Sequence, residues 1–303
     1  MIYNTMKECF DNLKDNVNYC LDNTDLKELF KTLDSIKGPT IICGVGGSSG
    51  VGIFLAKVLR EKRHLLTTFV SPRDIAYMDL SGYQNIIAVS YSGKNLGVDV
   101  LLNNNLNKYL LTGNKRDDFI CLTYKTKNEV SYVSLSATLA PMAILLMYYK
   151  NDRHLINEIL DYNIKTNSKN RSYEVLSGYE TITAHTILES SFTESGLADC
   201  VIHDKYNYCH GRINLTRNIK ADLIFFKGDN ELDDLYAKTL NKYYNNIITI
   251  NNKYDDLIIN DFYASVISLK LLKSISENYN HDLSNVKELE DNDLFYLYKG
   301  RLK

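Results

Sequence analysis

Nine short apolar runs punctuate this 303-residue chain, and helix-patterned stretches lie between most of them. In the first half the runs are "TIICG" (40–44), "LLTTFVS" (65–71), "NIIAVSYS" (85–92), "KYLLTG" (108–113) and "DFICLTY" (118–124). Helical periodicity spans 49–62, 95–106 and 134–150. The second half repeats the layout. Its runs are "YEVLSG" (173–178), "ADCVIHD" (198–204), "ADLIFFKG" (221–228) and "NNIITINN" (245–252), with helices over 180–195, 230–241 and 260–279. Apolar strands alternating with helices imply parallel sheets covered on both faces. The predicted class is α/β, in two similar lobes at 36–150 and 173–280. A helical segment (1–35) precedes them, a helix and linker (151–172) joins them, and a tail (281–303) follows.

Within the leading segment, Met6, Phe10, Leu13 and Val17, then Leu26, Leu29, Phe30 and Leu33, recur at helical spacing. One or two amphipathic helices are expected there, ended by Gly38 and Pro39.

Five of the fifteen glycines fall in one place, "IICGVGGSSGVG" at 41–52. A glycine loop between a strand and a helix brings backbone N–H groups close to an anion, and Ser48 and Ser49 add hydroxyl donors. Two simpler readings compete. One is a tight strand-to-helix turn with a serine cap. The other is a dinucleotide loop: Gly44 and Gly46 fit that fingerprint, but Ser49 stands at its last glycine and no acidic residue closes the second strand. Ser71 and Arg73 would then take a 2′-phosphate, making an NADP-binding reductase the alternative enzyme class. No Lys-Ser or Lys-Thr follows the loop, which excludes a Walker motif.

A second loop, "AVSYSGKN" (88–95), also ends a strand in hydroxyls and glycine. Two serine loops on nearby parallel strands suit one tetrahedral anion held from two sides. Together they resemble the sugar isomerase (SIS) domain proteins, whose loops read G-x-G-x-S and S-x-S-G-x-T. "GVGGS" supplies Gly44, Gly46 and Ser48, with Gly47 between; "SYSGKN" supplies Ser90, Ser92 and Gly93, with Asn95 where the family has Thr. "EVSYVS" supplies a third family element, Glu129 and Ser134, with Ser136 where a Lys is usual. The resemblance covers about residues 36–280. It implies two flavodoxin-like lobes, a sugar phosphate as ligand, and isomerisation through an enediol with no cofactor. The second lobe's counterpart loops, "SGYET" and "FKGDNE", are degenerate, so one phosphate site is expected per chain, in the first lobe.

Set against the isomerase half of glutamine–fructose-6-phosphate amidotransferase, the resemblance implies Glu189 in "LESSF" as base and His210 in "YCHGR" as ring-opening acid. The spacing between them is about five residues longer here, which leaves Glu194 as the alternative base. Arg212 would hold an anionic group, His185 would bond Glu189, and Lys299 in the tail would reach the site. Family members often borrow the His from a neighbouring subunit, so a homodimer is expected. A module that binds the sugar phosphate without turning it over remains an alternative, favoured by Asn95 and Ser136.

Other classes find less support. The formal net charge of −2 gives no field for nucleic acid. None of the six cysteines forms a C-x-x-C pair, so no metal site is expected. The greasy stretch 137–149 is too short to span a bilayer. The first residues lack the layout of a signal peptide. A cytoplasmic protein is the expectation.

Overall fold

The computed structural model describes residues 5–127, 129, 133–216, 220–286 and 290. Three helices lead: α1 (Met6–Asp11), α2 (Leu13–Asn23) and α3 (Leu26–Ser35). Side chains of Thr5 and Asp25 cap α1 and α3 by accepting the Glu8 and Glu28 amides, which divides the periodic stretch more finely than its spacing alone indicates. The first lobe follows as β1 (Thr40–Cys43), α4 (Gly47–Arg63), β2 (Thr67–Phe69), α5 (Pro72–Ile75), β3 (Asn85–Val89), α6 (Leu96–Leu102), β4 (Asn107–Thr112), β5 (Ile120–Thr123) and α7 (Ser136–Lys150). α8 (Arg153–Asp161) leads to the second: β6 (Ser172–Ser177), a 3₁₀ turn at Tyr179–Thr181, α9 (Ile182–Glu194), β7 (Asp199–Asp204), α10 (Lys205–Tyr208), a 3₁₀ turn at Arg212–Asn214, β8 (Asp222–Lys227), α11 (Glu231–Leu240), β9 (Ile247–Asn251) and α12 (Leu257–Tyr279).

Both sheets are parallel. The first has order β2-β1-β3-β4-β5 and the second β7-β6-β8-β9. Thr40 to Cys43 pair in step with Asn85 to Ala88, and Tyr173 to Leu176 with Asp222 to Phe225. In each lobe the chain leaves its first strand to one side and later crosses to the other. Each sheet therefore has a switch point, β1/β3 in the first and β6/β8 in the second, where the loops at the carboxyl ends diverge and leave a crevice.

Strand alternation divides the core. Ile41, Cys43, Ile86, Ala88 and Leu110 face outward onto α5 and α6. Ile42, Ile87 and Val89 face inward, into one cluster that also holds Tyr173, Val175, Ile224 and Phe226 from the second sheet. Between the sheets lie α4, α7, α9 and α12. α7 is apolar nearly all round, as a helix in a fully buried layer must be. α4 and α9 meet closely at Gly50, where a Cβ would overlap Ile187.

A fully buried ion pair lies within the helical layer. Lys57 of α4 donates to Asp261 of α12 at 2.5 Å, with both side chains buried. Asp261 also accepts the amides of Thr183 (3.4 Å) and Ala184 (3.1 Å) at the start of α9, and Lys57 reaches the Tyr179 carbonyl at 3.2 Å. Burial pushes the Asp261 carboxyl up, against the pull of Lys57 and the amides. Removing one member of such a pair strands a buried charge, whereas replacing both with apolar residues is far milder. Asp261→Ala should therefore lower the unfolding free energy by about 3–5 kcal/mol. A Lys57→Met/Asp261→Leu double variant should recover most of the loss, both read by urea denaturation.

Candidate functional site

At the β1/β3 switch point, the chain turns out of β1 through Gly44 and Val45 to Gly46, whose φ of +55° is one that side-chain-bearing residues rarely adopt. α4 then starts at Gly47. Its first turn is tight: the Ser48 amide bonds the Val45 carbonyl (3.1 Å), the Ser49 amide bonds the Gly46 carbonyl (2.9 Å), and the Ser49 hydroxyl turns back to the Gly44 carbonyl (3.1 Å). The Ser49 hydroxyl thus closes the turn, while Ser48 is half-buried beside it.

The second loop sits alongside: a Cβ at Gly97 would lie 3.5 Å from Cys43 Sγ. Ser90 is buried, and its Oγ accepts the Asn95 amide at 3.4 Å. Gly93 N–H donates to the Ser90 carbonyl (3.2 Å), and Ser92 is exposed above the turn. Asn95 is the N-cap of α6, accepting from Gly97 N–H (3.1 Å) and donating to the Val89 carbonyl (3.0 Å). An amide makes both bonds at once, which gives Asn a structural reason to stand at this position. Arg116 Nη1 donates to the Gly93 carbonyl (3.0 Å), while Asp118 pairs with the same guanidinium at 2.5 and 2.9 Å and raises its pKa. Arg116 was not anticipated from the sequence. The turn "GNKRDD" has no periodicity, and only the β4–β5 connection brings it to the loop.

Glu129 is sunk into the start of α7. Its carboxylate accepts the amides of Leu135 (2.9 Å) and Ala137 (2.7 Å) and the Ser136 hydroxyl. Burial pushes this carboxyl up and those bonds oppose it. Ser134 is exposed, its carbonyl accepting from Thr138, whose Oγ1 lies 3.2 Å from where a Gly47 Cβ would stand. The start of α7 therefore borders the first loop.

The acidic residues of α9 lie on different sides. Thr183, Ile187, Ser190 and Glu194 fall at spacings of four, three and four, one face of a helix. Ile187 and the Thr183 carbonyl approach Gly50, and Glu194 Oε1 lies 2.5 Å from where a Gly46 Cβ would stand. The Glu194 carboxylate accepts from Ser190 Oγ (2.6 Å) and from the Gly47 amide. Glu189 is rotated about 100° from Ser190, toward Cys200 on β7, whose thiol its charge helps to raise. Burial raises the Glu189 carboxyl. The arrangement thus brings Glu194, and not Glu189, to the glycine loop.

His210 and Arg212 are exposed in the segment after α10 and, among the described residues, make no hydrogen bond to either loop. That segment is tied to the second sheet by a buried relay. The Thr216 hydroxyl bonds Tyr208 (2.7 Å), Tyr208 bonds Tyr244 (2.8 Å), and Tyr244 donates to Glu174 on β6. His185 bonds Ser177 on β6, not Glu189; burial pushes its pKa down to about 4, so it is a neutral imidazole. Lys299 lies outside the described residues.

No family model matches the sequence, and no curated protein matches it either. Solved structures do match the fold. The C-terminal domain of glucosamine-fructose-6-phosphate aminotransferase from Francisella tularensis superposes with a TM-score of 0.68 at 13% identity, over 93% of this chain and 98% of that one. Tagatose-6-phosphate ketose/aldose isomerase from Escherichia coli gives 0.63 at 14% identity, over 94% and 96%. This chain has the two-lobed SIS fold. Glucosamine-6-phosphate deaminase from Thermotoga maritima shares that SIS fold at 0.61 and 14% identity, over 92% and 97%. Among the described residues, no helix is long and apolar enough to cross a membrane.

Burial raises the Glu194 carboxyl above its ordinary 4.5; Glu189 adds to the rise, and Ser190 and the Gly47 amide oppose it. A carboxyl raised in the folded state holds its proton more tightly there. Its contribution to stability is full below the unfolded value and is lost as pH rises through the folded value. Glu194→Gln mimics the protonated form. It should match the parent in thermal unfolding at pH 4 and exceed it at pH 7.

Proposed function

We propose that this chain binds a phosphorylated sugar across its two serine loops and interconverts aldose and ketose forms. The observation that carries the reading is the Glu194 carboxylate resting on Gly46 and Gly47, beside the loop that Ser90, Ser92, Gly93 and Asn95 form. The phosphate would take donors from the second loop and from Ser48. The sugar's first two carbons would then lie toward Glu194. The carboxylate would take the C2 proton of the open-chain aldose to leave an enediolate; as the hydroxyl proton passes from O2 to O1, the carboxyl would return its proton to C1 to give the ketose, with no redox partner. A raised carboxyl is the stronger base once ionised, and Ser190 steadies it.

His210 belongs to this reading through a second copy of the chain. It sits beyond β7, the edge strand of the second sheet, in a neighbourhood where Val201 and Leu215 expose apolar surface. A homodimer joined there would present His210, with Arg212 beside it, to the partner's loops as ring-opening acid. The reaction belongs to cytoplasmic sugar metabolism in this reading. A sugar-phosphate sensor without turnover is the second reading, favoured by Asn95 and Ser136 standing where the resembled family has Thr and Lys.

Glu194→Gln should lower kcat for the best sugar-phosphate substrate by about 100-fold or more and leave its Kd within a few-fold. Glu189→Gln should change kcat only a few-fold. Loss with Glu189→Gln alone would reassign the base. Ligand-induced stabilisation with no turnover in the parent protein would establish the sensor. Stabilisation by NADPH and not by sugar phosphates would instead point to a reductase.

A further inference from the structure

The second sheet has a crevice of its own. At the β6/β8 switch point a cleft of about 380 Å³ opens, bordered by the loops that follow β6, β7, β8 and β9. Its electrostatics differ from those of the first. Here an acidic side chain takes a loop amide, as Glu194 does at Gly47, and it takes the buried ammonium of the crevice as well. Asp233 Oδ2 accepts the Gly228 amide at 2.5 Å and Lys205 Nζ at 2.6 Å, and Lys205 is paired again with Glu180 at 2.5 Å. Both Lys205 and Asp233 are almost wholly buried. Asp229 and Asp255 add negative charge to the wall, and among the lining residues only Lys253 besides Lys205 is cationic. A phosphate would meet occupied donors and net repulsion.

What remains open is suited to hydroxyl groups. Asn230 and Asn252 line the cleft with side-chain N–H donors, their oxygens being taken by the Asp233 amide and by Asn260 Nδ2, while Asn260 is spent holding Asn252 and the Lys253 amide. Asp233, which lines the cleft, keeps Oδ1 without a hydrogen-bond partner in a buried place, an acceptor lacking its donor. Two tyrosines complete the wall. Tyr206 is 69% exposed, a large planar surface with nothing packed over most of it, and Tyr254 is half-buried, its ring edge against Tyr263. Aromatic faces beside amides and carboxylates fit a ring that is apolar on its C–H face and hydroxylated at its edge. The volume is at the lower end of small-molecule sites.

We propose that this cleft is a second ligand site, selective for an unphosphorylated sugar of one or two rings. It does not depend on catalysis at the first lobe, and the two sites are distinguished by the phosphate: required in one, excluded from the other.

The test is equilibrium binding by calorimetry with glucose, galactose, N-acetylglucosamine and maltose, each at up to about 50 mM, alongside their available phosphates. The proteins are the parent, Tyr206→Ala and Ser92→Ala. At least one neutral sugar should bind the parent. Tyr206→Ala, an exposed position whose change spares the fold, should weaken it about tenfold or more, with Tm unchanged. Ser92→Ala should leave neutral-sugar binding intact. The proposal is overturned if none of these neutral sugars binds, if Tyr206→Ala binds as the parent does, or if Ser92→Ala alone abolishes the binding. Loss of sugar-phosphate binding in Ser92→Ala with neutral-sugar binding kept would support both sites; absence of phosphate binding in the parent would count against the first and leave the second standing.

Discussion

The buried pair of Lys57 and Asp261 is where the two lobes become one molecule. Lys57 belongs to the helix that leaves the first glycine loop, and Asp261 to the closing helix. The same carboxylate accepts the first amides of α9, and the same ammonium donates to the carbonyls just before it. Each group is thereby satisfied on several sides, the condition under which buried charges are tolerated. Greasy contacts alone between α4, α9 and α12 would permit small slides of one helix past another. Directional bonds among three elements do not.

Much of the fold was legible from the sequence because parallel, doubly covered strands are nearly continuous apolar runs. "NIIAV" and "DLIFF" could be little else once helices flanked them. What the sequence blurred were the ends: "LLTTFVS" shortens to Thr67–Phe69, and the helix expected from 260 begins at Leu257, where the Asp256 side chain caps it. α5 and α10, one turn each, leave no periodicity to read.

The site was legible in part. Its loops announced themselves through glycine and serine because backbone geometry restricts residue choice there. The acidic residue against them did not. Both Glu189 and Glu194 satisfy a one-dimensional pattern, and only the face shared by Ile187 and Ser190 separates them. Arg116 was invisible for a related reason, since its partner is a carbonyl and carbonyls carry no sequence signature. The match to solved structures at 13–14% identity fits this picture, since a shared fold needs little identity in sequence.

α9 has a consequence for how this molecule is tuned. It is a rod of thirteen residues, roughly 20 Å long by helical rise, moored by Asp261 at one end and carrying Glu194 at the other. The residues just before it, Tyr179 and Glu180, lead into the crevice of the second lobe, while its last turn closes on the glycine loop of the first. Held also at mid-length by Ile187 against Gly50, the rod transmits the position of its mooring to the carboxylate at its tip. The position of the Glu194 carboxylate at the first lobe's glycine loop is thus set from inside the second lobe, by residues remote from that loop.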